Sequence, residues 1–119
     1  MPITTQHERD NIYRVELTGS LRKADFDGSQ EQLAGEIGRI GPIRLLFLLR
    51  DFDGWQRDGD WNDLSFYVGY GDRIERIAIV GPDRWRAETM MFAAADLRRA
   101  PVEFFTEDAL EGARTWLSS

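Results

Sequence analysis

Apolar and polar positions change period several times along the chain, and each change marks an element. Ile12-Tyr13-Arg14-Val15-Glu16-Leu17-Thr18 alternates strictly, the pattern of a half-buried strand. Residues 3–7 form a shorter strand before it, with Asp10-Asn11 as the turn between them. Between Lys23 and Ile40 the period becomes helical: Phe26, Leu33, Ile37 and Ile40 share one stripe, and Gly41-Pro42 stops the helix. Residues 43–49 are apolar throughout except for Arg44, as in a strand covered on both faces. Residues 60–69 predict a second helix, with Trp61, Leu64 and Val68 on one side. Residues 76–80 are another buried strand, closed by Gly81-Pro82. Asp83 stands at the N-cap of a third helix, which carries Trp85, Thr89 and Phe92 on one face. After Pro101, Val102–Phe105 is a short strand. Thr106 then caps a last helix, with Glu107 and Asp108 in its first turn and Leu110, Ala113 and Leu117 as its stripe.

The predicted order, β-β-α-β-α-β-α-β-α, implies one α/β domain over residues 1–119: a mixed central sheet of about five strands covered by about four helices. In such sheets ligands bind beyond the C-terminal strand ends, which here means residues 50–60 and 81–84.

Composition narrows the chemistry. There are 119 residues and no cysteine, which removes disulfides, thiolate metal sites and a cysteine nucleophile. A net charge of −6 is a poor match for nucleic acid. No apolar run approaches the ~20 residues of a membrane span, and MPITTQHERD has neither the basic end nor the apolar stretch of a signal peptide. These features read as a soluble, cytoplasmic protein. The one histidine, His7, reads as an exposed strand residue, and neither Ser20 nor Ser29 has a histidine near it in sequence.

The stretch LLFLLRDFDGW, an apolar strand running into Asp51-x-Asp53-Gly54, resembles the first motif of haloacid-dehalogenase-type phosphatases. That resemblance would make Asp51 the nucleophile and Asp53 the general acid/base, with magnesium between protein and substrate. The rest of the pattern is missing. Trp55 follows where that motif has Thr or Val, the strand ending at Val80 runs into Gly81-Pro82 instead of a Ser or Thr, and no lysine follows Lys23. Asp51, Asp53, Asp58, Asp60 and Asp63 also lack the ligand spacing of a calcium loop. No metal, cofactor or catalytic residue is therefore assigned. Read as local structure, these residues form a loop beyond the strand, with Arg50 and Asp51 as a local ion pair.

Five segments together resemble the SpoIIAA-like family, a branch of the STAS fold: Gly19-Ser20-Leu21, IRLLFLLRDFDGW from Ile43, Trp61-Asn62-Asp63-Leu64, ERIAIVGPDRW from Glu75, and FFTEDALEGARTWL from Phe104. The resemblance covers residues 12–117. It implies a STAS-like sheet with helices packed on it and no established catalytic activity. STAS antagonists of anti-sigma factors switch by phosphorylation of a Ser or Thr at the start of the helix after the central strand. Residues 50–64 here contain no Ser, Thr or Tyr, and Ser65 falls inside the predicted helix. The resemblance thus implies a regulatory module without that switch. It also implies likeness to small lipid-binding folds whose helices open over an apolar interior and meet a membrane peripherally.

The residues offer support for an apolar site. Trp55, Trp61, Phe66, Tyr67 and Tyr70 crowd the second helix and its lead-in, and Met90 and Met91 lie beside the Trp85–Phe92 face. Two readings stand side by side: the filling of a tryptophan-rich core, or the lining of a cavity with adaptable methionines. The functional expectation is a non-catalytic domain binding an apolar or lipid-like small ligand through Trp55, Trp61, Phe66, Met90, Met91 and Phe92. The alternative is a protein–protein module docking through Arg50, Asp51, Asp53, Asp58 and Asp60. Exposed aromatic helix faces would also suit a homodimer.

Overall fold

The computed structural model describes residues 3–56, 69–95 and 99–119. Five strands form one sheet in chain order: β1 (Ile3–Arg9), β2 (Ile12–Leu21), β3 (Ile43–Trp55), β4 (Ile74–Val80) and β5 (Val102–Phe105). β1 and β2 are an antiparallel hairpin, and all other neighbours are parallel. Three α-helices are described: α1 (Lys23–Ile40), α2 (Arg86–Phe92) and α3 (Leu110–Ser118). The helix expected over residues 60–69 lies outside the described residues except for Gly69, which is helical.

The alternation along the central strands sorts side chains onto two faces. Leu45, Leu49, Ile77, Ile79 and Phe104 join Val15 and Leu17 in one cluster, under Leu33 and Ile37 of α1 and beside α2. Leu46, Leu48, Ala78 and Val80 form the other, under Ala113 and Leu117 of α3. Burial on both faces is why residues 43–49 read as an apolar run broken only by Arg44. Ile40 sits on the α1 stripe by angle but is the last helical residue and is 41% exposed. The expected apolar stripe thus runs off the core at its end.

Both expected side-chain caps are absent. Asp83 instead begins a short 3-10 turn, Asp83–Trp85, and Thr106 precedes another, Glu107–Ala109, without a cap hydrogen bond from its side chain. The Asp83 carboxylate accepts from Arg86 at 2.9 Å, and the Thr106 hydroxyl donates to Asp108 at 2.5 Å. At the other end of α3, two arginines from the sheet donate to terminal carbonyls, beside the Ser119 N–H that reaches the Trp116 carbonyl at 3.2 Å. Arg44 donates to the Leu117 carbonyl and, at 2.9 Å, to that of Ser119, while Arg76 reaches the Trp116 carbonyl at 2.7 Å.

Two carboxylates tie elements together. Glu36 of α1 accepts from the Arg39 guanidinium at 3.0 and 3.1 Å and from the buried Tyr13 hydroxyl at 3.0 Å. Glu75 accepts from Arg44 at 3.0 Å and Asn11 at 3.1 Å. The hydrogen bond from Arg39 holds Glu36 below its ordinary value of 4.5, and that from Arg44 does the same for Glu75. A carboxyl that binds its proton less readily in the folded state stabilises the fold above the unfolded value. That contribution is lost as pH falls from the ordinary value through the depressed one. Thermal unfolding followed from pH 6 to pH 3 is expected to show the melting temperature falling below about pH 4.5, with a shallower fall in the Glu36→Gln and Glu75→Gln variants.

Candidate functional site

At the C-terminal end of the parallel strands five aromatic rings meet. β3 supplies Phe52 and Trp55, the turn after β4 supplies Trp85, α2 supplies Phe92 and α1 supplies Phe26. Phe52 lies 5.1 Å from Trp55 and 5.0 Å from Trp85, centroid to centroid, both edge-on. The two indoles are 6.0 Å apart at 80°. Phe92 lies 5.2 Å from Trp55 and 4.8 Å from Phe26. Edge-to-face contacts at these separations are the preferred arrangement of aromatic quadrupoles. Phe52 is buried, and the other four are half-buried against the core.

What brings Phe52 and Trp55 together is a departure from the expected loop. β3 does not stop at Leu49; it continues through the Asp-x-Asp-Gly stretch to Trp55, still paired with β2. Thr18 faces Arg50 but Gly19 faces Phe52, and Leu21 faces Trp55. Two extra residues are thus absorbed as bulges, one at Asp51 and one at Asp53-Gly54. Asp51 has φ 51° and Gly54 φ 92°, left-handed values that aspartate tolerates and glycine favours. Strict alternation from Leu49 would send Asp51, Asp53 and Trp55 inward and Phe52 to the opposite face. The first bulge turns Phe52 inward and the second returns Trp55 to the same side. Gly54 then lies under the Trp85 ring, where a Cβ would stand 3.5 Å from it.

Of the residues expected at an apolar site, Trp55 and Phe92 meet in this cluster and Met90 packs against the same core. Met91 does not: it is 80% exposed on the outer side of α2. Trp61 and Phe66 lie outside the described residues. Phe26, Phe52 and Trp85 belong to the cluster without having been assigned to the site. Trp85 had a signal, since it shares a helical face with Phe92, whereas nothing local distinguishes Phe52 from a loop residue.

Of the residues expected at a partner surface, Arg50, Asp51 and Asp53 are exposed along the β3 extension, and Asp58 and Asp60 lie outside the described residues. Arg50 does not pair with Asp51; its guanidinium meets Glu16 of β2 at 2.8 Å. The pairing follows from the lateral register of the two strands, which a reading of neighbours in sequence cannot see. Among the described residues no group of three His, Asp or Glu side chains could hold one metal ion. No described helix is long and apolar enough to cross a membrane.

The SpoIIAA-like family model matches residues 12–118. The chain belongs to the SpoIIAA-like family. Two solved structures have the same fold. An uncharacterized protein of the DUF3478 family from Shewanella loihica PV-4, described as having a SpoIIAA-like fold, is 21% identical with a TM-score of 0.73, covering 97% of this chain and 91% of that one. The anti-sigma factor antagonist SpoIIAA in its unphosphorylated form is 12% identical with a TM-score of 0.63, covering 94% of this chain and 97% of that one. No curated protein matches the sequence significantly. In this SpoIIAA-like domain the β3 extension and the aromatic cluster both lie where parallel sheets bind their ligands, beyond the C-terminal strand ends.

Proposed function

We propose that this SpoIIAA-like domain is a non-catalytic regulatory module that binds an apolar or lipid-like small molecule at the aromatic cluster between α1, α2 and the end of β3. The observation that carries this reading is the gathering of Phe26, Phe52, Trp55, Trp85 and Phe92 from four separate elements at one end of the sheet. Met90 packs against the same core as an adaptable side chain, and the exposed Met91 next to it offers an apolar contact to a membrane surface. Ligand entry would part α2 from α1, whose mutual aromatic contact is the Phe26–Phe92 pair. No residue takes a catalytic role.

A second reading rests on the fold shared with the anti-sigma factor antagonist. It takes the exposed Arg50, Asp51 and Asp53 as a docking edge for a protein partner, without a phosphorylation switch, because residues 50–64 have no hydroxyl side chain. One experiment separates the two. Native mass spectrometry of the purified protein, followed by organic extraction, is expected to show a bound mass that extracts as an apolar compound. A clean apo mass, together with no change in tryptophan fluorescence or melting temperature on adding fatty acids and lipids, overturns the ligand reading in favour of the partner.

A further inference from the structure

The nitrogen atoms of Trp55 and Trp85 are both buried, and neither has a hydrogen-bond partner among the described residues. Buried indole N–H groups ordinarily find an acceptor, and leaving one without is destabilising. An all-carbon aromatic side chain such as phenylalanine carries no donor to satisfy. Apolar packing makes no use of these two nitrogens, and both belong to indoles of one cluster whose ring centres are 6.0 Å apart. Indole is a donor only, so what it lacks is an acceptor.

We propose that the apolar ligand of this site ends in a carbonyl-type oxygen, a carboxylate or its ester, which accepts hydrogen bonds from the indole N–H groups of Trp55 and Trp85. This rests on the apolar-site reading and adds the chemistry of the head group. A ligand made only of hydrocarbon would leave both donors as they stand. A head group with donors alone would add a second unmet demand. The Arg84 guanidinium lies 5.8 Å from the centre of the Trp85 ring, but the Asp51, Asp53 and Asp83 carboxylates are exposed at the same end of the sheet, so charge does not choose between a carboxylate and an ester.

The test compares decanoate, methyl decanoate and decylammonium, whose head group has donors alone, each below its micellar concentration, on 15N-labelled protein. The two indole N–H resonances are assigned with Trp55→Phe and Trp85→Phe. Both oxygen-bearing probes are expected to move the indole protons downfield and to bind about five- to thirtyfold more tightly than the ammonium, as one or two net hydrogen bonds imply. That preference would run against the net charge of −6, which attracts the cation. Each Trp→Phe variant is expected to narrow the ratio. Equal binding of all three probes, or binding of decanoate with both indole signals unmoved, overturns the head-group inference while leaving the apolar site standing. Failure of every probe to bind overturns the apolar site, and the head-group inference with it. The readout on the unaltered protein stands even if a variant does not fold.

Discussion

Phe52→Ala lowers the free energy of unfolding by about 3–5 kcal/mol, the expected cost of truncating a buried phenylalanine. Phe52 is 3% exposed and stands between the rings of Trp55 and Trp85, so its loss removes two edge-to-face contacts as well as apolar burial. Met91→Ser is the matching control: at 80% exposure the side chain has almost nothing to lose, and a change within about 0.5 kcal/mol is expected. Equilibrium denaturation in urea checks both. A small effect at Phe52 would mean that the cluster collapses freely into the vacated space, and the cluster would then be too soft to hold a defined ligand shape.

The second large effect is expected at Gly81, where Ala should destabilise by about 1–3 kcal/mol through overpacking. A Cβ built there would lie 2.6, 2.8 and 2.9 Å from Cδ1, Cβ and Cγ of Leu49. Cδ1 could swing away, but the Leu49 Cβ is fixed to the β3 backbone within the core. Relief therefore requires strand β3 and the turn after β4 to separate, which would also loosen Trp85, four residues after Gly81. Gly35→Ala provides the contrast. It lies within α1 with nothing within 4 Å of the added carbon, and an increase of about 0.5–1 kcal/mol is expected from helix propensity alone. Thermal or urea unfolding of the two variants side by side should move in opposite directions. If Gly81→Ala proves neutral, the close approach of the two chain segments is not a constraint on the site.

The sequence by itself determined the elements whose burial is regular. Alternation set β2, the helical stripe and Gly41-Pro42 set α1 over Lys23–Ile40, and the apolar runs set the central strands β3 and β4. Period is a local property, fixed by whether a residue's neighbours at two or at three to four positions share its face, and so it survives in one dimension. The SpoIIAA-like family was legible for the same reason, because five such segments in order leave few folds open.

Tertiary structure decided what depends on parity and lateral contact. The bulges at Asp51 and Gly54 exist because β3 must stay paired with β2 while carrying two extra residues, and each reverses which side chains face inward. No local pattern announces them, and an Asp-x-Asp-Gly stretch reads as a loop until its partner strand is present. The same pairing gives Arg50 to Glu16 instead of Asp51. The turn after β4 brings Trp85 onto Phe52 across more than thirty residues of sequence. Glycine at position 81 looked like a strand stop and is required by the space beside Leu49. The site is built from separate elements meeting at one sheet end, and the distance between them in the chain hides it from the sequence.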